Sequence, residues 1–146
     1  MRFLSETNLS MHKEYLRELN LRLSIFEKSY TESLGKSPME ILRLKIPKKD
    51  RIELFELKSE IAAHNIFFSS FLFEMRVSDS ALRYDMLCEA MRAKSGFLVA
   101  WRGKKGEFLY MAGEDYREIF KETEPMLAVD LCEHSYFYDY GFDKKK

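Results

Sequence analysis

The sequence predicts an α+β fold, helices first and a small antiparallel sheet after them. Three observations predict it. Through the first half, apolar residues recur at steps of three and four, the period of an amphipathic helix. From Gly96 the period changes, to Gly96-Phe97-Leu98-Val99-Ala100-Trp101 and Glu107-Phe108-Leu109-Tyr110-Met111, both rich in strand formers. The elements are grouped rather than alternating, which is an α+β order.

The first element is a helix over residues 5–34, with Leu16, Leu19, Leu23, Phe26 and Tyr30 as its apolar stripe and Gly35 as its stop. Ser37-Pro38 opens a short helix over 38–44. Pro47 breaks it, and Asp50 is placed to cap a second long helix over 51–73. That helix begins amphipathic and becomes apolar nearly all round from Ile61 to Phe73, the mark of burial on more than one side. The two long helices form an antiparallel hairpin over residues 1–75. Residues 76–146 form the α/β part of the same compact unit. Ser78-Asp79-Ser80 caps a helix over 80–93, and Gly103-Lys104-Lys105-Gly106 turns the first strand into the second. A short helix around Tyr116 to Phe120 precedes Pro125, and a third strand covers 126–131.

At 146 residues, 46% apolar and 14% aromatic, the chain is long and apolar enough for one packed domain. Its formal net charge of zero excludes a generally basic nucleic-acid binder, so no nucleic-acid partner is expected. Ile66 to Phe73 is apolar but too short to span a bilayer, and Met1-Arg2-Phe3 leads into polar sequence without a signal peptide; no membrane partner is expected. Cys88 and Cys132 form no CxxC motif and are expected to stay unpaired, as in the cytoplasm or another reducing compartment.

The chemistry concentrates at the third strand. Met126-Leu127-Ala128-Val129 is an apolar run, and Asp130, Cys132, Glu133 and His134 follow it. A carboxylate and an imidazole just past a buried strand suit a hard or borderline metal such as Mn, Fe or Zn. Tyr136, Phe137, Tyr138 and Tyr140 then form an aromatic cluster. No Ser/His/Asp arrangement, P-loop or dinucleotide motif is present.

Asp130-Leu131-Cys132-Glu133-His134-Ser135-Tyr136-Phe137 resembles the signature of the iron/manganese superoxide dismutases, with Cys132 where that family has Trp. The resemblance implies an N-terminal helical hairpin followed by a three-stranded antiparallel sheet with helices, and a Mn or Fe cofactor held by four side chains. Asp130 and His134 take two of the ligand positions. Aligned through Tyr15 as the family's gateway Tyr, the first-helix ligand position falls on Thr7 and the second histidine of that helix on Met11. His12 then lies about 100° round the helix from Met11 and reads as a surface or interface histidine. Aligned through Phe67-Phe68, the second-helix ligand position falls on Asn65, with His64 one residue off the site face as a substitute ligand or a core histidine. Ile61 stands where the iron enzymes keep a Gln, and Ser69, Phe97 and Val99 stand at family Trp positions.

On this alignment two of four ligands, Thr7 and Asn65, are lost. The resemblance then implies a catalytically degenerate relative with no metal, or a weakly bound one, and a structural or interaction role. The alternative is a working dismutase, converting superoxide to oxygen and hydrogen peroxide, with His64 recruited beside Asp130 and His134. The resemblance also implies a homodimer in which Glu133 meets His134 of the other subunit, flanked by Met11 and Phe137; it names no other protein partner.

Overall fold

The computed structural model describes residues 5–72, 80–121 and 125–132. Helix α1 spans Glu6–Ser29 and starts at Ser5, whose hydroxyl accepts from the Asn8 N–H at 3.1 Å. It ends five residues before the predicted stop. Tyr30 leaves helical geometry, Thr31–Ser33 tightens into a 3-10 turn, and Gly35 follows at φ +68°. Helix α2 (Pro38–Ile41) has Pro at its start and a capping box in which the Ser37 N–H donates to Glu40. Helix α3 runs Lys48–Leu72. It begins just after Pro47, so Asp50 lies inside the first turn rather than capping it. There Asp50 accepts the Tyr30 hydroxyl.

The predicted stripe of α1 is the face that packs. Leu19, Leu57 and Ile61 form a core with Tyr15, Leu16, Leu23 and Phe26 around it. Tyr15 meets Glu60 and Tyr30 meets Asp50, so α1 and α3 run antiparallel as expected. Lys58 adds a tie between them. Its ammonium, nearly buried, donates to Glu27 at 2.8 Å, to the Ser33 carbonyl at 2.8 Å and to the Lys36 carbonyl at 3.3 Å. A lysine is tolerated there because every nearby oxygen accepts from it.

Helix α4 (Ser80–Arg92) leads to strand β1 (Phe97–Arg102). Strand β2 (Phe108–Gly113), helix α5 (Tyr116–Ile119) and strand β3 (Leu127–Asp130) complete the order. The sheet is antiparallel with β1 central, in the order β2-β1-β3. β1 is buried on both faces, which explains its unbroken apolar sequence. Phe97 and Val99 pack on Ala63, Ile66 and Phe67 of α3, and Leu98 and Ala100 on Met86 of α4. Burying a side chain the size of Phe67 contributes about 1.5–3 kcal/mol. Gly96, at φ +91°, lets β1 start against the Gly113 carbonyl, a place with no room for a Cβ.

The observed class is the expected one, helices followed by a small three-stranded antiparallel sheet. Among the described residues no helix is long and apolar enough to cross a membrane. Cys88 and Cys132 are not joined by a disulfide. The expected Ser78-Asp79 cap, Glu133, His134 and the aromatic cluster from Tyr136 lie outside the described residues.

Candidate metal centre

Three elements far apart in sequence deliver one polar group each to a single buried point. α1 brings His12, α3 brings His64 and β3 ends on Asp130. His12 Nε2 lies 2.9 Å from Asp130 Oδ2, and His64 Nε2 lies 3.3 Å from the same oxygen. The donor atoms of all three fall within 4.8 Å of one another, and the side chains are at most 1% exposed.

The local sequence explains each placement. His12 is one turn beyond Asn8, and both sit on the buried face of α1. His64 belongs to the nearly all-apolar half of α3, which buries Ile61, Ala63, His64, Ile66 and Phe67 and leaves the face of Asn65 and Ser69 exposed. Asp130 is the last residue of β3, opposite Phe97 in the register. Its Oδ1 accepts the Cys132 N–H at 2.8 Å, which fixes the carboxylate and leaves Oδ2 to the imidazoles. Aromatic rings wall the group. Phe67 stacks on His12 at 4.8 Å between centroids, Phe97 meets His64 edge-on at 5.0 Å, and Tyr15 lies 5.5 Å from His64.

The hydrogen bond of His64 sets its chemistry. Nδ1 lies 2.8 Å from the Glu60 carbonyl. A carbonyl only accepts, so Nδ1 carries a proton. Nε2 then faces the Asp130 carboxylate either as a lone pair or as a second N–H. Two electron-rich atoms at this distance repel in a dry site, so a cation between them, a proton or a metal ion, relieves the contact. Without metal the proton serves. Burial pulls the His64 pKa down, but the hydrogen bond to Asp130 and its charge outweigh this and hold it above the ordinary histidine value. With metal, the Nδ1–H bond to a backbone carbonyl is the support a ligating histidine needs. Two imidazole nitrogens and a carboxylate oxygen also fit a borderline or hard divalent ion, so this group can hold one.

Around the group, the Tyr15 hydroxyl donates to Glu60 Oε1 at 2.5 Å. Burial and then that hydrogen bond push the Tyr15 phenol well above its usual pKa. Burial and the charges of Glu60, Cys132 and Asp130 do the same to Tyr116, a neighbour that sequence reading did not single out. The Cys132 sulfur is turned to Gly96, within 3.4 Å of its N–H. Burial first, then Asp130, pushes its thiol up to about 12, so it is a protonated, poor ligand.

Several expected positions are corrected. Thr7 and Asn65, assigned as lost ligand positions, are exposed and off the site. Met11, assigned to the position of the family's second histidine, is 44% exposed. His12, read as a surface or interface residue, is fully buried against Asp130. His64, placed off the site face by the alignment, is on it. A one-residue shift turns a helix by about 100°, and it is what separates Met11 from His12 on α1 and Asn65 from His64 on α3; anchoring on Tyr15 and on the Phe67-Phe68 pair set each helix off by that one residue. The signal that could have found His12 is its spacing of four from Asn8 on a face continuing to Leu19. Asp130 is where expected; His134, Glu133 and Phe137 lie outside the described residues.

No protein-family model matches the chain, and no curated protein sequence matches it.

Proposed function

We propose that the chain is a metal-binding protein of superoxide dismutase type, in which His12, His64, Asp130 and His134 hold a manganese or iron ion. The observation that carries this reading is the convergence of His12, His64 and Asp130 in one dry group, on a chain whose Asp130 to Phe137 stretch resembles that family's signature. His134 enters by that resemblance. The corrected ligand position on α3 also moves the family's Gln position by one residue, from Ile61 to Glu60, whose carboxylate holds Tyr15.

The reaction converts two superoxide ions and two protons to one oxygen and one hydrogen peroxide. When bound, the ion would supply the one-electron couple for both halves. The chain's own residues do the rest. The Glu60 carbonyl fixes the His64 tautomer, the Cys132 N–H orients Asp130, Tyr15 closes the side next to His64, and Phe67 and Phe97 exclude water.

A second reading is a degenerate relative with a structural or interaction role. It is favoured by the family Trp positions that hold Ser69, Phe97, Val99 and Cys132 here. In it, the His12–Asp130–His64 group is a polar knot in the core. Metal analysis of protein purified without chelators separates the two. Near-stoichiometric manganese or iron with dismutase activity, both lost in His12→Ala and His64→Ala, is the expected result. A folded protein that takes up neither ion on loading ends the first reading.

A further inference from the structure

Strand β2 is an edge of the sheet, and its outer side carries no strand among the described residues. The backbone register shows which groups face outwards. The Gly103 N–H donates to the Glu107 carbonyl at 2.7 Å, so Gly103 and Glu107 form a hydrogen-bonded pair. The ladder continues with Trp101 opposite Leu109, Val99 opposite Met111 and Phe97 opposite Gly113. In an antiparallel ladder, hydrogen-bonded residues alternate with residues whose N–H and C=O point away. Phe108, Tyr110 and Ala112 therefore present their main-chain groups outwards, and no backbone bond to them occurs among the described residues.

Natural edge strands are usually guarded by charges, proline or a bulge. β2 has no charge and no proline from Phe108 to Gly113, its pairing with β1 is unbroken, and Phe108 and Leu109 are about half exposed. Its two ends carry opposite charges. Lys104-Lys105 precede it and Glu114-Asp115 follow it.

We propose that this edge docks a second copy of the chain, β2 against β2, antiparallel, to make one continuous six-stranded sheet. The charges select the occupant and its direction. Parallel pairing sets lysine on lysine. Antiparallel pairing about a two-fold axis at Tyr110 sets Phe108 opposite Ala112 of the second copy and brings the Lys104-Lys105 turn of each copy beside Glu114-Asp115 of the other. Each attractive contact occurs twice, as an isologous interface requires. The outward groups of Phe108, Tyr110 and Ala112 then pair with their equivalents, and the basic turn of each copy meets the acidic end of the other. This interface is independent of the metal reading and of the contact implied at Glu133.

The test is sedimentation velocity over a micromolar concentration series, with cross-linking to fix the register. Residues paired across the axis are about 5.5 Å apart at Cα, within disulfide reach. Tyr110→Cys is therefore expected to oxidise to a covalent dimer, whereas Leu109→Cys, displaced along the strand from its own copy, is not. Lys105→Glu, an exposed change that leaves the core alone, is expected to weaken the dimer about tenfold. Asp115→Asn, which removes the charge but keeps an oxygen for the α5 cap, is expected to weaken it as well. A parent protein that stays monomeric overturns the proposal. So does a dimer indifferent to Lys105→Glu but dissociated by Glu133→Ala, or equal cross-linking at 109 and 110.

Discussion

Asp130→Asn in metal-free protein tests the polar group where its energetics are most legible. The carboxylate oxygen Oδ2 is shared by His12 at 2.9 Å and His64 at 3.3 Å, and all three side chains are at most 1% exposed, so water does not screen the loss. Asn keeps an oxygen for the Cys132 N–H and almost the same volume, so the local turn survives. What goes is the charge that holds two buried imidazoles. Removing one partner of a buried pair costs about 3–5 kcal/mol. For a chain of this size each kcal/mol moves the melting temperature by about 2–4 °C, so a fall of about 6–20 °C is expected. The pH dependence has a definite sign. The His64 pKa is raised by Asp130 above its ordinary 6.5. That contribution is fully present below 6.5 and is lost as pH rises through the raised value. The gap between parent and variant is therefore widest near pH 6 and narrows towards alkaline pH. Thermal unfolding by circular dichroism in chelator, from pH 6 to 9, measures it. Melting within about 2 °C of the parent at pH 6, or a gap that widens with pH, refutes the reasoning. Added Mn or Fe should stabilise the parent more at higher pH, because the ion displaces a proton, and should leave the variant unmoved.

Lys58→Met should cost about 3 kcal/mol, because it leaves the largely buried Glu27 carboxylate without its ammonium while the Ser33 carbonyl keeps only the Lys36 N–H; an unchanged urea midpoint would show that the tie contributes nothing. Gly96→Ala should unfold the chain or lower its melting temperature sharply, since the new Cβ falls on the Gly113 carbonyl at a positive φ; a parent-like melt would mean that β1 and β2 can separate there. Cys132, with its thiol held up to about 12, should react with a thiol reagent at pH 8 only on unfolding, while Cys88 reacts first; two fast thiols in the native protein would contradict the burial. Electrophoretic mobility should be the same with and without reductant, and a shift would reveal a disulfide.

What the sequence determined by itself is the periodic and local part. The stripe from Leu16 to Tyr30, the all-apolar half of α3, the Ser37-Pro38 start of α2 and the two runs joined at Gly103–Gly106 each encode their element through neighbours a few residues apart. Asp130 was legible as a site residue because strand end and carboxylate sit together. Where α1 stops and α3 starts was less legible. Tyr30 leaves the helix to reach Asp50, a partner twenty residues on. The grouping of His12, His64 and Asp130 was decided only by tertiary structure. Whether His12 or Met11, and His64 or Asn65, faces Asp130 depends on how α1 and α3 are rotated against each other and against β3. That rotation is set by packing of Leu19 on Leu57 and Ile61, and of Phe67 on Phe97. A helix turns about 100° per residue, so the choice between adjacent side chains rests on contacts between residues distant in sequence, which periodicity along one helix does not contain.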